Sequence, residues 1–593
     1  MSRSPCRGQR DLPSIDRTRA PRHSPLTNEG GTPMRLRVLA PVALLAWLFT
    51  ASAAPRPAYD IVIRGGTIYD GSGGAPYLGD VAISGDHIVA VGRVSGRGAR
   101  EIEAAGLAVA PGFINMLSWA NESLIQDGRS QSDIRQGVTL EVMGEGESMG
   151  PLNPEMKRLA LSRQGDIHYP ITWTTLGEYL DFLQRRGIAP NVASFVGAAT
   201  IRVHELGEGD VDPNPAQLAR MRMLVRQAMD QGALGVGSAL IYAPGSFAET
   251  DELVALVGEA GRCGGMYISH MRSEGDRLLQ SVDELIEISR RAHAPAEIYH
   301  LKQSGRDNWG RLDAVVARVE AARARGLRIS ADMYTYTAGA TGLDAAMPLW
   351  VQAGGREAWI ARLRDPAVRA RVAAEMRRPD QGWENLFRGA GPEGMMFTDF
   401  RNPALRRYIG RTLAEVARER GTSPEETVMG LVVEDGSRVG TIYFLMSEDN
   451  VRREVRLPWV SFGSDAASIA AEGIFLNEHP HPRTYGNFAR LLGHYVRDEG
   501  LVPLPEAIRR LTSLPATNLG IARRGALRPG YYADLAIFDP RTIADRATYA
   551  APHAYAAGMR HVFVNGAQVL RDGEPTGATP GRAVHGPGWH RCH

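Results

Sequence analysis

"GGMYISHMRSEGDRLLQSVDELIEISRRAHAPAEIYH", residues 264–300, carries the reading of the fold. A short apolar run from Met266 ends in His270. A stretch of helical period follows over residues 278–292, and a second apolar run from Ala296 ends in His300. Strand, helix and strand in one span describe a crossover between parallel strands. The alternation continues in "LRISADMY" (327–334) and "LPWVSFGSD" (457–465). Over this length it implies an α/β protein with a TIM-like (β/α)8 barrel. In such a barrel the side chains at the C-terminal strand ends converge on one mouth.

Away from this centre the texture changes. "YDIVIRGGTIYDGSG" from Tyr59 and "RGALRPGYYADLAIFDP" from Arg524 both read as short strands broken by turn glycines. Each end is too short to fold alone, so both ends of the mature chain are expected to build one small β-sandwich. The expected boundaries are 54–110 and 521–593 for its two parts and 111–520 for the barrel. Residues 343–456 are longer and richer in helical pattern, and read as a helical insertion on the barrel.

The residues from Met34 form a segment of another kind. Arg35 and Arg37 precede an apolar run from Val38 to Phe49, and Ala51-Ser52-Ala53 follows it. That is the pattern of a secretory signal peptide over 34–53, too short for a confident membrane span. It implies export to the periplasm or medium and no stable membrane span after cleavage; an uncleaved anchor is the competing reading. Residues 1–33 read as a non-native leader, with Met34 as the start. The net charge of +2 and the lack of a basic stripe give no sign of a nucleic-acid partner. Of three cysteines, Cys6 lies in the leader, and the spacing of Cys263 and Cys592 suggests neither a disulfide framework nor a metal motif. Cys263 reads as a small buried hydrophobe. Nothing in the sequence sets an oligomeric state.

Four apolar runs lead into residues able to bind a metal. "TLEVMGEGES" reaches Glu145, and "WVSFGSDAAS" reaches Asp465; His270 and His300 complete the set. Two histidines and two carboxylates around one barrel mouth suit zinc. Taken singly, each is as well explained as a cap or a packed residue.

At these residues the chain resembles the N-acyl-D-amino-acid deacylases (D-aminoacylases) of the amidohydrolase superfamily. The resemblance spans nearly all of the mature chain. Its carriers include "VAPGFI", "RQGVTLEV", "ISHMRSE", "IYHLKQSG", "DMYTYTAG", "FGSDA", "HPHPRTYGNFARLLG" and "LTSLPATNLGIARRGALRPGYYADLAIFDP". It implies a tightly held zinc on a cysteine and two histidines matching His270 and His300. A second, weaker metal site would use a His-x-His pair. Asp465 is the implied general base and proton shuttle, and Lys302, Tyr334 and Arg483 match residues that grip the substrate carboxylate. The implied reaction is hydrolysis of the amide bond of N-acyl-D-amino acids.

The chain departs from that family in two places. His-x-His falls on Leu117 and Trp119, an apolar pair that cannot bind a metal. If the strand's period of two holds, both face the same interior side. The family's Gly-Asn-Cys-Gly falls on "GEGE", with Gly146 at the cysteine position. Glu145 is then the first choice for the missing ligand and Glu147 the second; Glu145 as a cap of the following turn competes with both. The expected enzyme holds one zinc per chain on His270, His300 and Glu145, with a small N-acyl amino acid as its partner. The alternatives are another amidohydrolase reaction, on a dipeptide, cyclic amide or lactone, and a non-catalytic periplasmic binding protein on the same scaffold.

Overall fold

The computed structural model describes residues 57–379 and 382–592. The expected leader and signal peptide lie outside the described residues. Among these residues no helix is long and apolar enough to cross a membrane.

The opening span folds as strand Met266–His270, helix Leu278–Ala292 and strand Ala296–Ile298. The helix forms because Leu278, Val282, Leu285, Ser289 and Ala292 recur every three or four residues and bury one face. It ends at His293, which turns left-handed at φ 53°. Six further strands complete the barrel. Its strands are β1 Phe113–Asn115, β2 Val138–Met143, β3 Asn191–Ser194 continued by Val196–Gly197, β4 Gly235–Ala239, β5 Met266–His270, β6 Ala296–Ile298, β7 Ile329–Met333 and β8 Val460–Phe462. Neighbours pair in parallel from β1 to β3 and from β3 to β8. The ring closes where Met116 N–H donates to Phe462 O at 3.2 Å and Ser118 bridges to Ala466.

Leu140, Val142, Met266 and Ile268 face inward and pack with Ile114, Phe195 and Tyr299 in an inner cluster. The outer strand faces pack against the helices. Met266, Ile268 and His270 alternate on one side of β5, so the inward face of this strand ends in an imidazole.

The two ends of the described chain share one nine-stranded sheet. The join is antiparallel, Ala108–Pro111 against Leu535–Phe538. Ile63, Ile68, Val81, Val109, Leu535 and Phe563 fill its core. The strands of this unit stop at Pro575. The remaining tail leaves the sheet for the barrel: Val192 N–H donates to Arg582 O at 3.0 Å, and Gly586 N–H to Gly232 O at 2.9 Å.

Three expectations need correction. The insertion between β7 and β8 is not simply helical. It holds an antiparallel sheet of Ala338–Gly342, Gly440–Phe444 and Met395–Asp399 beside its helices. These strands are short, and "AGATG" offers no apolar alternation to read. Cys263 is not a lone buried thiol but is bridged to Cys592, 329 residues away, with Cα atoms 5.3 Å apart. Finally, β1 ends at Asn115, so the period of two does not reach residues 117 and 119. Leu117 is fully buried, whereas Trp119 keeps 38% of its surface exposed.

Candidate metal and substrate site

The turn after β2 is built from "GEGE". Gly144 (φ +105°) and Gly146 (φ +69°) are both left-handed, and a Cβ on Gly146 would lie 2.6 Å from the Ala239 Cβ. No side chain fits at that position, and the neighbouring Glu145 is the carboxylate turned toward the two histidines. Its Oε1 lies 3.1 Å from His270 Nδ1 and 3.0 Å from His300 Nε2. The three ligand atoms lie within 4.8 Å of one another, and all three residues are buried. Glu147 is exposed and stands outside this group.

A second carboxylate backs the pair. Glu274, four residues after His270, places Oε1 3.0 Å from His300 Nδ1 and 2.8 Å from Lys302 Nζ. Lys302 Nζ is itself 2.6 Å from His300 Nδ1. An ammonium on that side excludes a metal there, so the Glu145 side, through His270 Nδ1 and His300 Nε2, is the one open to a cation. One carboxylate oxygen and two imidazole nitrogens make a donor set that suits zinc. Burial raises the Glu145 carboxyl, but His300 and His270 outweigh it and hold it well below the usual range. Burial and Lys302 lower His300, and Glu274 and Glu145 together carry it up to about 10. Both shifts report a field that favours positive charge between the carboxylates.

His300 sits at φ +36°, an uncommon backbone for a non-glycine. Asp332 on β7 holds it there by accepting from His300 N–H at 2.9 Å. Burial, with Glu297 nearby, pushes the Asp332 carboxyl well up.

Asp465 follows β8, also left-handed at φ +50°. Its N–H donates to Leu117 O at 2.8 Å, and its Oδ1 accepts from Trp119 Nε1 at 3.1 Å. Its Oδ2 lies 2.9 Å from Arg483 Nη1. That last contact is a charge contact rather than an aligned hydrogen bond, because Nη1 and Nε of the buried Arg483 find no acceptor. The Arg483 guanidinium lies over the Tyr334 ring at 4.5 Å, and Lys302 Nζ over the same ring at 5.4 Å. The structure therefore brings all the sequence candidates except Glu147 to one end of the barrel, with Tyr334 between the imidazoles and Arg483.

Sequence reasoning missed several members of this site. Glu274 lies in the quoted "MRSE" and was legible as the i+4 neighbour of His270. His481 accepts from Arg483 N–H at 3.0 Å through Nδ1 and lies 2.9 Å from Ala338 O through Nε2, which fixes one neutral tautomer. It stands two residues before Arg483 in "HPHPR". Tyr242, whose ring meets His270 edge-on at 5.5 Å, carried no signal. Nor did Glu384, which accepts from Ser273 Oγ, Glu274 N–H and Gly275 N–H at 2.7–3.1 Å and so ties the insertion to the loop after β5.

Residues 100–570 match the Amidohydrolase family. The chain is 34% identical over 531 residues to the D-aminoacylase of Alcaligenes xylosoxydans xylosoxydans, covering 89% of this chain and 97% of that one. A solved D-aminoacylase, studied for the role of its binuclear metal centre with one-metal activation and second-metal attenuation, superposes with a TM-score of 0.74 at 32% identity, covering 89% of this chain and 100% of that one. The N-acyl-D-glutamate deacylase of Bordetella bronchiseptica, complexed with zinc and a phosphonate mimic of the tetrahedral intermediate, gives a TM-score of 0.73 at 28% identity, covering 89% and 99%. With this extent of likeness and this barrel mouth, the chain belongs to the amidohydrolase family and, within it, to the D-aminoacylases.

Proposed function

We propose that this protein is an exported, one-zinc deacylase that hydrolyses the amide bond of N-acyl-D-amino acids. The observation that carries the reading is the buried Glu145–His270–His300 set beside a guanidinium with free N–H groups. A zinc ion held there would supply Lewis-acid chemistry, acidifying water and polarising an amide carbonyl. The donor set fits one such ion. Leu117 and Trp119, at the His-x-His positions, offer no ligand for a second.

The remaining chemistry belongs to the side chains. Asp465 accepts the proton of the attacking water and delivers it to the leaving amine. Arg483 meets the substrate carboxylate as a planar fork, steadied from below by Tyr334, with Lys302 adding charge. His481 holds the Arg483 backbone N–H and the Tyr334 ring lies under the guanidinium, so the fork is set before substrate arrives. The D preference and the acyl-amino-acid class come from the relatives. Export rests on the n-region, h-region and small-residue pattern at residues 34–53. The Cys263–Cys592 bridge supports it, since disulfides persist outside the cytoplasm.

Elemental analysis of the purified protein, with turnover of N-acetyl-D- and N-acetyl-L-amino acids, tests the reading. The expected result is about one zinc per chain, lost in His270→Ala, and preference for the D series. A protein with no metal and no turnover of either hand would be the non-catalytic relative instead.

A further inference from the structure

The residue standing where the family's His-x-His would end is in contact with the proposed general base. Trp119 donates its indole N–H to Asp465 Oδ1 at 3.1 Å. The two segments are stitched together around that bond: Asp465 N–H reaches Leu117 O at 2.8 Å, and Trp119 N–H reaches Ala466 O at 2.9 Å. The other carboxylate oxygen faces Arg483 at 2.9 Å. Asp465 thus has the indole donor on one oxygen, a guanidinium charge beside the other and a left-handed backbone at φ +50°, a conformation that persists only where surroundings enforce it. Below it, Ser464 N–H donates to Asn115 Oδ1 at 2.8 Å, which anchors the turn but leaves the carboxylate free to rotate.

We propose that Trp119 is a positioning residue for Asp465, its indole N–H fixing the orientation of the carboxylate. The indole N–H pins one carboxylate oxygen and leaves the other to Arg483 and the reacting proton. This rests on the one-zinc reading above. An indole is a neutral donor on a rigid ring, so it orients the carboxylate without placing a further charge beside it.

The test is Trp119→Phe, which keeps an aromatic ring and removes the N–H, measured alone and combined with Asp465→Asn. Wild-type turnover and one zinc establish the underlying reading first; without them that reading fails, and this one falls with it. Against that baseline, Trp119→Phe should lower kcat about ten- to hundredfold, the usual weight of a hydrogen bond to a charged group, with KM within about twofold. In the Asp465→Asn background the same substitution should cost nothing further, because its effect passes through the carboxylate. An unchanged kcat, a rise in KM instead, or an equal loss in both backgrounds overturns the proposal. A readout independent of turnover is the metal count under excess zinc. Trp119→Phe should keep one zinc per chain, because Trp119 is not in the donor set, and loss of the ion in that variant overturns the proposal. A matching thermal melt for Trp119→Phe separates these outcomes from misfolding.

Discussion

Asp465 and Arg483 lie 2.9 Å apart, yet their removal should register in different constants. Asp465→Asn keeps the shape and cannot accept the water proton, so kcat should fall roughly 10²–10⁴-fold with zinc content retained. Wild-type turnover in that variant would refute the assigned base. Arg483→Ala removes a buried partner of the substrate carboxylate and should cost about 2–5 kcal/mol of binding. The loss should appear mainly in KM, as loss of uniform binding does, and steady-state kinetics on one N-acyl-D-amino acid read both constants together. Family likeness made these two residues legible in the sequence. The indole on Asp465 and the tautomer of His481 were not, because the first depends on a side chain 346 positions away and the second on the Ala338 carbonyl 143 positions away.

At the scale of the element, the insertion does more than cover the barrel. Its last helix, Glu448–Glu454, buries Glu454 against the loop that carries Lys302. Gln303 Nε2 donates to Glu454 Oε1 at 3.1 Å, and Oε2 finds no partner. Burial, only partly opposed by Gln303 and Lys302, pushes this carboxyl up to about 8 from an ordinary 4.5. Between those values the folded protein holds a proton that the unfolded chain has released. Stability should therefore fall as pH rises from about 4.5 to about 8, and level off above. Glu454→Gln copies the protonated form and should flatten that slope. Denaturant unfolding at pH 6 and pH 9 decides it; equal slopes in both proteins would exclude Glu454 as a source of the pH dependence. The insertion's strands escaped the sequence reading for a related reason. They are five residues long, and their pairing rather than any alternation defines them.

At the scale of the molecule, the tail is the least expected feature. It leaves the terminal sheet, crosses beside β3 and β4, and is bridged through Cys592 to the C-terminal end of helix Thr250–Arg262. A bridge that closes so long a loop restricts the unfolded chain strongly, and its removal typically costs 2–5 kcal/mol. Cys592→Ser should lower the melting temperature by several degrees, while Trp119, Asp465 and the Glu145–His270–His300 set, at the C-terminal strand ends and not touched by the bridge before β5, keep their arrangement. Alkylation of the mature protein without reductant should add nothing, and after reduction should modify two thiols. Free thiols in protein recovered from the periplasm would remove both the bridge and its support for export.

The barrel was legible because strand and helix periods are local. Residues two or four apart in the chain are neighbours in the element, so "MYISH", "AEIYH" and the helix between them announce themselves. Strand ends converge wherever a parallel barrel closes, which is why Glu145, His270, His300 and Asp465 could be named together from their places in the pattern. The one-dimensional pattern has no register between segments hundreds of residues apart. The bond from Trp119 to Asp465 spans 346 positions and the bridge from Cys263 to Cys592 spans 329. The choice of Glu145 over Glu147 also had to wait for the fold: it turns on two left-handed glycines and on a Cβ of Ala239 that leaves no room beside Gly146. These contacts exist only once the barrel has closed and set the distances between its rims.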